Sequence, residues 1–403
     1  MINLLRKDFQ EAMPILEQLE AHQYKAYFVG GCVRDFLLKR QIGDIDIATS
    51  ASPKMVQEIF AKVIPVGVEH GTVIVRHNHG SYEVTTFRVD GTYSDQRHPD
   101  SVEFIDKIDE DLKRRDFTIN AFAMGKDGKI IDLFGGREDL DRRLIRTVGD
   151  GRQRFQEDPL RIIRAVRFVS QLGFSIDPET LEAMRQVKQE IEHLAVERLA
   201  NEMAKLFAGN YLGDGIAYIK RTGLYYYLPV LREASHIIHR IPDSLQPLSS
   251  FGEVIALFHL LEPGQTVERW SRAWKCSNKV RQEAKQLVEA IRYFMENGLD
   301  EWLVYRLDNA YFYGFIHLIN NLKLEKTVNL SQVQELAAKL PIESKRDLAI
   351  KGHEIAAIFP DFKKGPWLKR LIQQLEEEVV RGRVKNTTFE LKEWIQCNPP
   401  ETD

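Results

Sequence analysis

The chain has 403 residues, 43% hydrophobic and 29% charged, enough for several cores and two or three domains. Lys+Arg 56 against Asp+Glu 59 leaves a formal net charge of −3, which excludes a globally basic nucleic-acid coat protein but not a local basic groove. No apolar run approaches the roughly 18 residues of a membrane span, and the first residues lack the pattern of a signal peptide. Cys32, Cys276 and Cys397 lie too far apart for a disulfide framework or zinc site, so a soluble cytoplasmic protein is expected.

Up to about residue 150, glycines are frequent and short β-rich runs recur at 27–29, 45–47, 72–75 and 82–87, with a helical pattern at 53–61. This predicts an α/β domain with a mixed sheet over 1–150. The polar stretch 88–101 follows a strand, and so long a loop in a compact domain is functional or disordered. Beyond Gly151 the strand signals nearly vanish and apolar residues recur at helical spacing, as in Leu199, Met203, Leu206 and Phe207. With breaks at Gly173, Gly209, Gly213, Gly223 and Pro229, an all-helical part of three successive bundles is expected.

Chemistry concentrates in Gly30-Gly31-Cys32-Val33-Arg34-Asp35 followed by Gly43-Asp44-Ile45-Asp46-Ile47. Residues two apart on a strand share a face, about 7 Å between Cα atoms. Asp44 and Asp46 are thus expected side by side, with Ile45 and Ile47 anchoring the other face. Paired carboxylates repel, and a hard divalent cation relieves them. Glu83, alternating with Val84 in a β run, is the candidate third acid. Gly30-Gly31 would offer backbone N–H groups to phosphate, with Arg34 one turn on. Singly, an Asp-x-Asp or Gly-Gly also suits a solvated turn. Together they describe a metal-dependent nucleoside-triphosphate site, where a hydroxyl attacks the α-phosphate.

Arg114-Arg115-Asp116 precedes an apolar run read as helical, so Asp116 suits a cap and Arg115 either solvent or triphosphate. Nine arginines and no lysine lie between Arg137 and Arg167, a bias towards forked donors. A helix is expected to start with Asp158 as N-cap and Pro159 at its first position. Asp158, Arg161, Arg164 and Arg167 recur at three-residue spacing. An acid beside an arginine suits the amino donor and bare ring nitrogen of cytosine or adenine, and mismatches uracil and guanine. Solvated arginines behind an N-cap remain the alternative.

In this order, with Asp132-Leu133-Phe134-Gly135-Gly136 between them, these motifs resemble the bacterial class II tRNA nucleotidyltransferases, CCA-adding enzymes of the polymerase-β-like nucleotidyltransferase superfamily. The resemblance covers roughly residues 25–170. It implies a catalytic head over 1–150, a helical neck over 151–230, and a body and tail over 231–403 that hold tRNA. It assigns Mg²⁺ to Asp44 and Asp46, a weaker third acidic role to Glu83, and nucleotide contacts to Gly31, Arg34 and Arg115. The base would meet Asp158 and Arg161, with Arg164 and Arg167 completing the pocket. Implied substrates are CTP, ATP and the tRNA 3′ end, and a homodimer fits family habit although no stretch marks an interface. The loop at 88–99 has the length associated with adding all of CCA. Open alternatives are a CC- or A-adding relative, a poly(A) polymerase, and a non-catalytic RNA-binding protein. Lys363, Lys364, Lys369, Arg370, Arg381, Arg383 and Lys385 suit solvated helix faces as well as RNA phosphates.

Overall fold

The computed structural model describes residues 7–78, 80–91, 101–242, 244–362 and 365–400. The chain forms two compact units, Met1–Ile238 and His239–Asp403.

In the first unit, α1 (Lys7–Ala21) buries Phe9, Ala12, Met13, Leu16 and Leu19 at helical spacing. Phe9 packs on Phe28, ring centroids 4.9 Å apart. Phe28 belongs to β1 (Ala26–Val29), which is followed by α2 (Gly31–Leu37), β2 (Asp46–Thr49) and α3 (Pro53–Ile59). Ser52 caps α3 and Pro53 opens it, where the missing N–H costs nothing. Strands β3 (Val63–Gly67), β4 (Thr72–His77) and β5 (Gly80–Thr86) form a meander. Next come β6 (Arg88–Asp90), β7 (Val102–Phe104), α4 (Ile108–Lys113), β8 (Phe122–Met124), β9 (Ile130–Asp132), α5 (Gly136–Asp141) and β10 (Leu144–Ile145). The main sheet runs β3-β4-β5-β2-β1-β8-β9, and only β2 and β5 pair in parallel within it. A mixed sheet was expected.

Two sequence expectations change here. The apolar run after Arg115 is not an α-helix: residues 118–120 make one tight 3₁₀ turn and the chain enters β8. Phe122, Ala123 and Met124 are fully buried, so sheet pairing overrides a run short enough for either structure. The polar stretch begins and ends in order, because β6 and β7 pair antiparallel as its stem. Its residues 92–100 lie outside the described residues.

From residue 151 the first unit is helical: α6 (Gly151–Glu157), α7 (Leu160–Leu172), α8 (Pro178–Val187), α9 (Val196–Phe207) and α10 (Leu212–Thr222). One short exception is β11 (Ser175–Ile176), parallel to β10. Gly173 and Gly223 end α7 and α10 with positive φ, whereas Gly213 lies inside α10 rather than at a break. α7 packs against α9 and α10, burying Ile162, Ile163, Val166 and Val169.

The helix α11 (His236–Arg240) spans the boundary residues. The second unit continues with α12 (Phe251–Leu261), α13 (Val267–Ala273), α14 (Asn278–Asn297), α15 (Glu301–Arg306), α16 (Phe312–Leu322), α17 (Leu330–Lys339), α18 (Gly352–Ile358), α19 (Pro366–Val380) and α20 (Thr388–Cys397). Its two cores centre on α12, where Phe258 meets Trp270 at 5.0 Å, and on Trp302, Trp367, Leu371, Leu375 and Ile395. Arg381 is tied to Asp300 at 2.8 Å and Arg383 to Glu378 at 2.7 Å. These two of the scattered cations are therefore engaged within the protein. Among the described residues, no helix is long and apolar enough to cross a membrane.

Candidate active site

β1 ends at Val29, whose register partner is Asp46, because the chain turns away at Gly30. The ladder therefore has no partner for Asp44. Asp44 lies two residues before Asp46, just outside the strand and exposed, and its charge still acts on Asp46. Ile45 and Ile47 are buried, 7% and 1% exposed, as the anchoring argument requires. On the other side of β2, the parallel register sets Asp46 opposite Glu83. Burial, then the Glu83 charge, push the Asp46 carboxyl up to about 6; Asp44 adds to this and Arg115 opposes it.

The glycine turn sits against the same strand end. Gly30 has φ 75°, a region that favours glycine, and a Cβ there would stand 2.9 Å from an Arg115 guanidinium nitrogen. Its N–H donates to the Phe122 carbonyl at 3.2 Å, so of the glycine pair only Gly31, the first residue of α2, keeps its amide from the sheet. Arg34 donates to Asp35 at 3.0 and 2.9 Å and to the Asn120 side-chain oxygen at 2.6 Å. Arg115 donates to the Asn120 carbonyl and to Asp111, 3.5 and 3.4 Å, while its Nε is buried without a hydrogen-bond partner.

The remaining side chains come from the start of α7. Pro159 occupies the N-cap position, one residue later than expected, yet the Asp158 carboxylate still accepts the Leu160 N–H at 3.1 Å. Its other oxygen accepts from Arg198 at 2.7 Å. Arg161 donates to Glu157 at 2.8 Å and to the carbonyls of Arg154 and Arg114 at 3.1 and 3.2 Å. Arg164 grips Asp116 through Nε and a terminal nitrogen, 2.9 and 2.5 Å. The positive charge of Arg164 holds the buried Asp116 carboxyl far below its usual range, against the pull of burial. Arg167 lies 4.2 Å over the Phe168 ring and 3.2 Å from Glu202. Burial, then repulsion from Arg164, bring its guanidinium down to about 10.

These elements enclose a cleft of about 570 Å³. Gly31, Arg34, Asp46, Glu83, Arg115, Asp158, Arg161, Arg164 and Arg167 line it; Asp44, alone of the expected residues, does not. The reading from sequence missed Arg88, Asn120 and Arg198, and it gave no site role to Arg114, Asp116 or Phe168. Asn120 stood within a quoted motif, but nothing in sequence joins Arg198 to Asp158, 40 residues away. Eight arginines face four carboxylates in the lining, a cation excess suited to a polyphosphate. A larger cavity, about 870 Å³, lies in the second unit over Trp302, Leu348 and Ile372, remote in sequence from this chemistry.

Known proteins are similar to this chain in sequence and fold. Residues 26–146 match the family described as Poly A polymerase head domain, 173–235 the RNA and SrmB-binding site of polymerase A, and 250–395 tRNA nucleotidyltransferase domain 2. The CCA-adding enzyme of Oceanobacillus iheyensis is 47% identical over 99% of this chain and 100% of its own length. That of Anoxybacillus flavithermus is 41% identical over 98% of each. The crystal structure of the Bacillus stearothermophilus CCA-adding enzyme in complex with CTP superposes with a TM-score of 0.86 at 39% identity, covering 97% of this chain and 98% of that one. With full-length identity at this level and the same fold throughout, the chain belongs to the CCA-adding enzymes and is a nucleotidyltransferase that adds CCA without a template.

Proposed function

We propose that the protein builds and repairs the 3′-terminal CCA of tRNA from CTP and ATP, with the reaction centred on Asp44, Asp46 and Glu83. The observation that carries this reading is the meeting of Asp46 and Glu83 at the mouth of an arginine-lined cleft. The tRNA 3′-hydroxyl attacks the α-phosphate and pyrophosphate leaves. Residues 1–150 are the head, 151–230 the neck, and 231–403 the body and tail that bind tRNA. The free cysteines suit a reducing cytoplasm.

The acidic group fits Mg²⁺ held by Asp44 and Asp46. Among the described residues no three acidic, histidine or cysteine side chains converge to enclose an ion. Mg²⁺ keeps water and substrate phosphates among its ligands, so a carboxylate pair suffices. Glu83 lies opposite Asp46 in the register, so a bound cation would offset the repulsion between the two carboxylates. When bound, the metal would acidify the attacking hydroxyl and offset charge at the α-phosphate. Glu83 holds further negative charge beside Asp46, while Gly31, Arg34 and Arg115 take the triphosphate.

Asp158 accepts from the exocyclic amino group of cytosine or adenine, and Arg161 donates to the ring nitrogen. Each is held by its own partners, Arg198 and Glu157, and not by the other. Arg164 and Arg167 close the pocket around Phe168. The deciding experiment supplies tRNA lacking CCA with CTP and ATP. Addition of C, C and A followed by arrest is expected; a long A tail would establish a poly(A) polymerase, and arrest after CC a partial enzyme. Asp158→Ala with Arg161→Ala should admit UTP and GTP, and unchanged discrimination would remove the base-reading roles.

A further inference from the structure

One buried acid behind the cleft has no part in the chemistry above. Asp111, on α4, is 1% exposed and does not itself line the cleft. One of its oxygens accepts from Arg114 Nε and a terminal nitrogen at 3.1 and 2.8 Å. The other accepts from Arg115 at 3.4 Å. Arg114 also reaches Asp90 at 3.5 Å, and Asp90 accepts from Arg88 at 2.9 Å. All three arginines, 88, 114 and 115, line the cleft.

Arg114 caps the C-terminus of α4 and Arg115 follows it outside the helix, so helical geometry alone does not aim both at one wall. Asp111 stands three and four residues before them, the two spacings at which one helical side chain can reach both. Its carboxylate also offsets the repulsion between two guanidiniums that must share one wall. Buried, with Arg114, Arg115 and the Arg88 N–H (3.4 Å) as its donors, it can act on a ligand only through them.

We propose that Asp111 is the positioning residue for the polyphosphate end of the incoming nucleotide, holding Arg114 and Arg115 as one preformed cation pair. The inference rests on the reading that Arg115 takes the triphosphate. It acts on the part common to CTP and ATP, so it leaves base choice alone.

The test compares Asp111→Asn, Arg114→Ala/Arg115→Ala and the triple variant, titrating CTP and inorganic pyrophosphate by calorimetry and measuring kcat and KM for CTP and ATP. Asp111→Asn is expected to weaken CTP and pyrophosphate binding about tenfold and to raise both KM values alike, with unchanged discrimination against UTP. In the arginine-free background the same substitution should add nothing, since neighbours acting through one another are non-additive. An undiminished cost in that background overturns the proposal, as does a fall in kcat and melting temperature at unchanged pyrophosphate affinity. If the arginine-free protein binds pyrophosphate normally, the underlying assignment of Arg115 fails instead. Should Asp111→Asn not fold, Asp111→Glu retains the charge. Pyrophosphate affinity between the wild type and the arginine-free protein then supports positioning, and wild-type affinity refutes it.

Discussion

Asp46 and Glu83 face one another across the sole parallel pairing in the main sheet, one at the start of β2 and the other within β5. Strand register, not sequence proximity, makes them neighbours, and their mutual repulsion adds to burial in raising Asp46 to about 6.

The sign of the resulting pH dependence follows. A carboxyl raised above its ordinary 3.8 binds more protons folded than unfolded, so it destabilises the metal-free fold fully above about pH 6. That cost shrinks as pH falls from 6 towards 3.8. Asp46→Asn should therefore raise metal-free stability by on the order of 1–2 kcal/mol at pH 8 and clearly less near pH 4.5, read by urea unfolding at both pH values. An equal gain at both would refute the electrostatic origin.

Gly30→Ala combines a positive φ with a Cβ 2.9 Å from Arg115. A loss of about 1 kcal/mol in stability and a roughly tenfold rise in KM for both nucleotides are expected. Chemical denaturation and steady-state kinetics separate the two; normal KM values would mean Arg115 tolerates displacement.

Asp116 is buried against Arg164 and also accepts from Asn120 at 3.1 Å. Asp116→Asn removes the charge opposite Arg164, whose other carboxylate neighbour, Glu202, lies 3.9 Å away. The expected destabilisation is on the order of 3 kcal/mol at neutral pH. Because the Asp116 carboxyl is depressed, its stabilisation is present above the unfolded value of 3.8 and declines as pH falls through the folded one. The gap between wild type and variant should thus narrow in strong acid, as circular dichroism melts would show.

In the second unit, His317 shares a 3.0 Å hydrogen bond with buried Glu253, which raises the imidazole above 6.5 against the effect of burial. Stability from this pair is complete below the unfolded value and lost as pH rises through the folded one. Melting temperature should fall as pH rises above about 6.5, and His317→Gln should flatten that slope. A slope unchanged in the variant would assign it elsewhere.

Local chemistry was legible in the sequence because it depends on short spacings. The glycine turn before α2, the alternation that buries Ile45 and Ile47, and the arginines three apart on α7 each follow from backbone geometry within a few residues. Four motifs in order also sufficed for the family. Residues 117–124 were not legible, since eight apolar-rich positions fit a helix or a strand until neighbouring strands supply hydrogen bonds. Nor was the end of the strand at Asp46, which depends on β1 stopping at Val29. The partners that aim the cleft, Arg198 on Asp158, Asp116 on Arg164 and Glu202 beside Arg167, come from positions 35 to 48 residues apart. Sequence alone determines which side chains carry the charge; only folding decides which charges share a low-dielectric wall, because register and burial depend on every neighbour at once.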